Sequence, residues 1–358
     1  MVDVQTEPPT LLASSKTKSY SLKDSFQDAF IKNFICVALG IIINHINGVF
    51  VYTFCKNAVF YGNSRYILYI HLVTNDMVML SITVGLHVVS YAVPFVQVSL
   101  CCFLLLLSHM TAKNTPLNLA GMAIERYIAV CKPLHHPQIC TVKRTYILIC
   151  LIWMASTIPA LADVFIIIAL KPLTFFNGNT FCISWVIFGT QQHRDRATAV
   201  EIIFMLFVWL TLFYSYFMIL HIAKNASTDQ ASAKKAQNTI LLHGAQLLFS
   251  MLSYITPFID MYLVPLFPKS RSKILFTTFL LSHILPRLLS PLIYGIRDQQ
   301  FVKYIKSYFS SLQRIQDGLA LQSNGDCKFS FDKSDERSDE EHCHFELRLD
   351  PTKDACDE

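Results

Sequence analysis

Hydrophobic and polar positions in this chain segregate on the scale of whole helices. Seven mostly apolar stretches follow one another, at about Phe34–Phe54, Ile67–Tyr91, Leu100–Val130, Tyr146–Leu170, Val200–Ala223, Ile240–Leu266 and Leu275–Ile293. A helix needs roughly 20 such residues to cross about 30 Å of hydrocarbon. Only helices or closed barrels satisfy backbone polar groups in lipid, and long apolar runs without strict alternation are helical. The pattern therefore predicts an all-α membrane protein, a seven-transmembrane helix bundle. Pro94, Pro116, Pro159, Pro257, Pro286 and Pro291 fall near or inside these stretches and predict ends or kinks. After the seventh, "FVKYIKSYF" places Phe301, Tyr304, Ile305, Tyr308 and Phe309 on one helical face, with Lys303 and Lys306 on the other. That is the pattern of a short amphipathic eighth helix lying on the membrane surface. The predicted division is an N-terminal tail at 1–30, the bundle at 31–296, the surface helix at 297–312 and a tail at 313–358. Met1 to Asp28 is polar with no apolar core, so the first span is expected to act as the targeting signal.

Composition agrees with a membrane body. Apolar residues make up 53% of the 358-residue chain, charged residues 15%, and mean hydropathy is +0.41. A soluble domain carries about 25% charged residues. Charge is also segregated: residues 314–358 hold 13 acids and 6 bases, and the remainder holds 12 and 24. Bases scattered at helix ends suit lipid headgroups, and no nucleic-acid partner is expected. The tail around "SDERSDEEHCH" reads as a solvated, acidic, disordered segment. Eleven cysteines show no paired CxxC spacing, and His342, Cys343 and His344, three in a row, have poor geometry for one ion. Neither a metal nor a cofactor is expected. No HExxH, nucleophile elbow or phosphate-binding loop points to an enzyme.

Seven crossings put the termini on opposite sides, but lysine and arginine counts of 11 and 10 on the two sides barely orient the chain. A sharper signal is "GMAIERYIAVCKPLHH", where Glu125 and Arg126 close a long apolar run. Cys101 lies 25 residues before Arg126, roughly 38 Å along a helix, so the two mark opposite membrane faces. Taken alone, the charged pair reads as an interfacial anchor, because an arginine is costly at the bilayer centre. Its neighbours add more. The run "TPLNLAGMAIERYIAVCKPLHHPQICT" resembles the third-helix signature of rhodopsin-like (class A) G-protein-coupled receptors in its odorant-receptor form. Met122, Ala123, Glu125, Arg126, Tyr127, Ala129, Cys131, Pro133 and Leu134 all match, nine positions in a window of 13.

Other segments resemble the same family at the helices where it has its landmarks. These are Asn47, Asp76 in "LVTND", Trp153, the Ser215–Tyr216 pair, and Lys235, Ala236, Thr239 and His243 in "KAQNTILLHG". "SPLIY", Ser290 to Tyr294, stands for NPxxY with serine in place of asparagine. The resemblance covers about 30–309. "NTPLNLAGMAIE", "KKAQNTILLHG" and "LPRLLSPLIYGIRDQ" are most similar to fish-type odorant receptors of the 131-2-like group. The chain departs from the family pattern at several points. His135 and His136 stand where the signature ends in tyrosine, and the FYG-like triplet of the sixth helix is missing. The outer segments carry no N-x-S/T sequon, and no cysteine closely follows the surface helix.

The resemblance implies a plasma-membrane receptor with its N-terminus and Cys101 extracellular, and Arg126 and the C-terminus cytoplasmic. It implies that Glu125 holds Arg126 at rest, and that Arg126, Tyr127, Tyr216 and Tyr294 take part in coupling. The partner is a heterotrimeric G protein of the olfactory or stimulatory type, with an arrestin or kinase acting on the tail and membrane lipids around the bundle. The family's pocket lies in the outer halves of helices 3, 5, 6 and 7. The candidates there for contacting a small-molecule odorant are Ser108, His109, Ala112, Lys113, Glu201, Phe204, Tyr254, Phe258, Phe279 and His283. Lys113 and Glu201 rank first, because charges in membrane helices are expensive and usually functional. Lys113 is expected to pair with Glu201, with Asp163 or with an acidic group on the ligand, and such a pair suits an acid or a zwitterion. The acid that holds amines in this family would sit 18 residues before Arg126, where this chain has Ser108. That argues against a monoamine.

Paired cysteines persist in the oxidising outer compartment, so Cys101 and Cys182 are expected to be joined, with Cys102 as the competing partner. Asn47, Asp76, Arg287 and Ser290 form an expected buried polar switch. In the family the helix 2 acid helps hold sodium. Here Arg287, three residues before Ser290 and on its helix face, is expected to replace that ion. Two other readings remain open at this point: a class A receptor for an internal metabolite or lipid, and a transporter or channel. The Glu-Arg-Tyr signature and the absence of internal repeats argue against the second.

Overall fold

Six long helices carry most of the apolar stretches: α1 at Phe26–Lys56, α2 at Ser64–Ala92, α3 at Val98–Cys131, α4 at Val142–Leu170, α5 at Gln191–Ala226, and α6, which runs through Arg271–Phe279, Leu280–Ile284 and Leu285–Arg297. This structure, a computed structural model, describes residues 26–93, 95–226, 255–256, 259, 262–267, 270–297, 301–306 and 310. α6 corresponds to the seventh apolar stretch. The sixth lies mostly outside the described residues, which show it helical at 262–266. Met1–Tyr308 forms one unit of the chain and Phe309–Glu358 a second, of which Ser310 alone is described.

Among the described residues five helices are long and apolar enough to cross a membrane: α1, α2, α4, Gln191–Ile222 of α5 and Arg271–Pro291 of α6. At 34 residues α3 is also long enough, but it is more polar than α1, α2 and α4, and its position accounts for that. It packs against α2, α4 and α5, and buries Thr111, Asn114, Thr115, Asn118 and Glu125 among them. A helix shielded by neighbours on several sides need not present an apolar surface all round. The outer helices do present one, with Ile41, Phe165, Leu210 and Phe217 exposed where lipid would lie.

Several helices overrun the apolar stretches because polar side chains support the extra turns. The Asn63 side chain accepts from Arg65 N at 3.1 Å to cap α2, and Thr141 Oγ1 accepts from Arg144 N at 3.4 Å to cap α4. α5 begins at Gln191 rather than near Val200, and the Thr190 hydroxyl accepts from His193 N at 3.4 Å. Pro116, Pro159 and Pro291 sit inside their helices without ending them. Pro286 follows a π-helical turn at Leu280–Ile284. Proline has no N–H to return to the preceding turn. The Arg287 guanidinium instead donates to the Ser282 carbonyl, at 2.7 Å.

A two-stranded ribbon ties one end of the bundle. Val96–Gln97 (β1) pairs antiparallel with Asn179–Thr180 (β2), and a disulfide joins Cys101 to Cys182. Cys102 is free and buried. Around this tie Val98, Leu105, Ile167, Ile187 and Phe188 form a buried apolar cluster, which places the α4–α5 loop over α3. At the other end Phe50, Phe54, Phe60, Tyr66 and Tyr69 pack together with Phe301. Residues 301–306 are helical, and Phe301 is fully buried with its ring centroid 4.6 Å from that of Phe60. Lys303 and Lys306 are exposed. The apolar face expected to rest on the membrane is thus anchored in the protein, at least through Phe301.

The disulfide closes a loop with a sequence separation of 81. Losing such a cross-link should cost roughly 3–5 kcal/mol. Cys101→Ser and Cys182→Ser should each lower thermal stability in detergent by the same amount, and Cys102→Ser should leave it unchanged. Peptide mapping that finds Cys102 bonded to Cys182 would overturn the assignment.

Candidate functional site

Three polar clusters lie along α3. Midway along α3, the Lys113 ammonium forms an ion pair with Glu201 of α5. His109, one turn before Lys113, faces Ser184 Oγ at 3.3 Å and the Phe188 ring at 5.8 Å, both from the loop held by the disulfide. A second ion pair joins Asp163 of α4 to Arg196 of α5, whose Nη1 also donates to the Pro159 carbonyl at 3.0 Å. Asp163, one of the two acids expected for Lys113, is therefore taken by Arg196. The Asp163 carbonyl lies 3.0 Å from His193 Nε2. Asp163 stood inside an apolar stretch, but Arg196 lies before the fifth one, and nothing in the sequence signalled that the two would meet.

The other sequence candidates distribute differently. The Ser108 carbonyl accepts from the Thr111 hydroxyl at 3.1 Å, and Ala112 lies on α3 beside Lys113. Phe204 packs against the aromatic core nearer the Arg126 end. Phe279 and His283 stand against α2 rather than beside Lys113, and Phe279 stacks on His87 with centroids 4.8 Å apart. Near them Lys32 of α1 donates to Ser272 at 2.5 Å. Neither Lys32 nor His87 was singled out from the sequence. Tyr254 and Phe258 lie outside the described residues, as do Lys235, Ala236, Thr239 and His243.

The middle of α3 carries the densest network. Thr115 Oγ1 donates to Asp76 Oδ1 at 2.9 Å and accepts from Asn75 Nδ2 at 3.0 Å. Asn114 Nδ2 donates to Asn75 Oδ1, and Ser156 Oγ of α4 to Asn114 Oδ1, each at 3.3 Å. Asn118 Nδ2 donates to the Leu68 carbonyl at 3.0 Å. From α6, Arg287 Nε stands 3.8 Å from Asp76 Oδ1, while Nη2 reaches Met79 Sδ at 2.9 Å. Ser290 also faces the carboxylate and donates to the Pro286 carbonyl at 3.1 Å. Asn47 is buried nearby in α1, but its amide meets no hydrogen-bond partner among the described residues. Asp76 and Arg287 are 1% and 2% exposed, so neither charge can turn to solvent for compensation.

At the other end of α3, Glu125 Oε2 lies 3.9 Å from Arg126 Nε, whereas Glu125 Oε1 lies 3.0 Å from His136 Nε2. The acid is shared, and the histidine is the nearer partner. Sequence reasoning registered His136 only as a departure from a motif, since nothing in the spacing shows that the turn after α3 folds it back. Cys140 sits close by. Burial pushes its thiol pKa up, and Glu125 adds to the rise, which keeps it in the unreactive thiol form. The Tyr127 and Tyr214 rings stand 5.6 Å apart, and Tyr216 packs on the aromatic core. Tyr294 belongs to α6, and its side chain lies outside the described residues. Among the described residues no group of three or more His, Cys, Asp or Glu side chains could hold a metal.

The Asp76–Arg287 pair makes the sharpest mutational prediction of these clusters. Removing one partner strands the other charge in low dielectric, at a cost of roughly 3–5 kcal/mol. Asp76→Asn and Arg287→Met should each reduce surface delivery and thermal stability. The exchange Asp76→Arg with Arg287→Asp should recover part of the loss, and replacing sodium by choline should leave the ligand affinity of the unaltered protein unchanged. An exchange variant no better than either single one would contradict the pairing.

Comparison with known proteins gives the chain's family. The 7 transmembrane receptor (rhodopsin family) profile matches residues 46–294, well over half of the chain. Odorant receptor 131-2 of Danio rerio is 29% identical over 299 residues, covering 82% of this chain and 91% of the relative. Olfactory receptor 5H15 of Homo sapiens is 29% identical over 202 residues, 52% of this chain and 61% of that receptor. Olfactory receptor 5H2 of Homo sapiens is 31% identical over 203 residues, 52% and 62% respectively. The Glu-Arg-Tyr end of α3, the buried helix 2 acid and the Cys101–Cys182 tie fall within the matched region. The chain belongs to the rhodopsin family of seven-transmembrane receptors, multi-pass membrane proteins that are not enzymes, and has odorant receptors among its relatives.

Proposed function

We propose that the protein is an odorant receptor of the plasma membrane. It binds a small molecule in the outer half of the bundle, the half that carries the disulfide, and activates a heterotrimeric G protein at the Arg126 end. The N-terminus and the disulfide face the outside of the cell, and Arg126 and the C-terminus face the cytoplasm. The observation that carries this reading is the placement of two charged clusters on one helix. Lys113 and Glu201 meet midway along α3, beside the buried network around Thr115, and Glu125 and Arg126 lie near its C-terminal end. A displacement of α3 or α5 by a ligand at the first cluster is felt through packed and hydrogen-bonded neighbours at the second, which is the two-state coupling a receptor needs. The named odorant receptors among its relatives favour an odorant over an internal metabolite.

At the cytoplasmic end the resting state has Glu125 buried between Arg126 and His136. Ligand binding frees Arg126 for the α subunit of the G protein, of the olfactory or stimulatory type. Arg126→Ala should abolish cyclic-AMP signalling and leave ligand binding within a few-fold, since coupling free energies between sites are about 1–3 kcal/mol. Glu125→Gln should raise basal signalling by weakening the hold on both partners. An Arg126→Ala variant that reaches the surface and signals fully would refute the coupling role.

A further inference from the structure

The Lys113–Glu201 pair has spare bonding capacity that its surroundings do not use. Among the described residues, Glu201 Oε2 is buried without a hydrogen-bond partner. The Lys113 ammonium has three N–H donors, and among the described residues it gives one hydrogen bond, to Glu201 Oε1. The pair is not sealed in the core either, because its side chains are 13% and 36% exposed. Ala112 beside Lys113 adds little bulk on α3, and the disulfide-held loop brings the Ser184 hydroxyl and the Phe188 ring to His109, one turn away. Arg196 and Asp163, which also join α4 to α5, pair with each other.

We propose that the ligand is a small zwitterion, a primary ammonium and a carboxylate on a short carbon chain. It inserts between Lys113 and Glu201 with its carboxylate on the lysine and its ammonium on the glutamate. This deepens the receptor reading and rests on it. The reason is charge pairing. A charge left alone within a membrane helix bundle is costly, and parting an ion pair there exposes both partners to that cost. A carboxylic acid that takes Lys113 strands Glu201, and an amine that takes Glu201 strands Lys113. A zwitterion re-pairs both. Sites whose buried polar groups must be matched reject analogues lacking one group far more strongly than apolar pockets reject a missing methylene. The long, flexible lysine and glutamate stems allow the two heads to part and admit the ligand without moving the helix backbones. The hydrocarbon portion then lies toward Phe188.

The test uses the full-length receptor, purified in detergent, with straight-chain amino acids from glycine to aminohexanoate. Fatty acids and alkylamines of the same carbon number serve as matched controls. At least one amino acid should raise the melting temperature and drive nucleotide exchange on a stimulatory G protein, with its acid and amine counterparts at least tenfold weaker. Lys113→Met and Glu201→Gln should each remove that preference. The exchange Lys113→Glu with Glu201→Lys should restore it, because a zwitterion can turn end for end. Equal stabilisation by the acid or the amine, or none by any amino acid, would overturn the proposal even if the single variants fold poorly. Uncharged odorants that drive exchange while no amino acid does would refute the zwitterion and leave the receptor reading standing. A failure of exchange for every probe, with an amino acid still raising the melting temperature, would instead fault the coupling.

Discussion

Burying charge and amide groups where no water can reach is the constraint on which this bundle depends. Asp76 cannot face lipid, so its carboxylate is met from three directions: Thr115 on α3, and Arg287 and Ser290 on α6. Each partner is held in turn. Thr115 accepts from Asn75, and Arg287 is fastened to the Ser282 carbonyl beside a proline that could not bond it. An unmatched polar group in hydrocarbon is worth several kcal/mol, whereas one more apolar contact is worth far less. The positions of α2, α3 and α6 relative to one another are therefore set more by this cluster than by leucine packing, which the lipid tails could replace.

This also explains why α3 is more polar than α1, α2 and α4. Its polar residues are spent inward, on α2 through Asn114, Thr115 and Asn118, on α4 through Asn114, and on α5 through Lys113. A helix bonded to so many neighbours cannot shift without changing the partners of several buried groups. Such an element tends to have discrete arrangements rather than a continuum, the property that lets an event at one end bias the other. The aromatic packing of Phe50, Phe60, Tyr69 and Phe301 makes the opposite contribution, a non-directional anchor around the Arg126 end.

Much of this was legible in the sequence because membranes make polarity informative. Runs such as Tyr146–Leu170 could only be spans, and Lys113, Glu201, Asp76 and Arg287 stood out as charges inside such runs. What escaped was geometry set by the folding of short connections. His136 reaches Glu125 because the segment after α3 turns back through two short helical turns, and no periodicity encodes that. Lys113 was expected to meet Glu201 or Asp163, and nothing in the sequence singled out Arg196 as the partner that takes Asp163. The inward turn of Phe301 was missed for a related reason. An amphipathic face looks the same in sequence whether it meets lipid or a cluster of phenylalanines. Ends were misplaced where polar caps, as at Asn63 and Thr141, carried a helix beyond its apolar run.

The claim that unites these features is that a ligand in the outer half of the bundle is sensed by a G protein at the Arg126 end. The most direct measurement is nucleotide exchange in a defined membrane, with the purified receptor in lipid nanodiscs, a stimulatory heterotrimer and labelled GTP, challenged with a broad odorant panel. Ligand-dependent acceleration of GTP uptake that requires the receptor is the expected result. An odorant-evoked ion current in bilayers carrying the receptor and no other protein, with no change in nucleotide exchange, would contradict it.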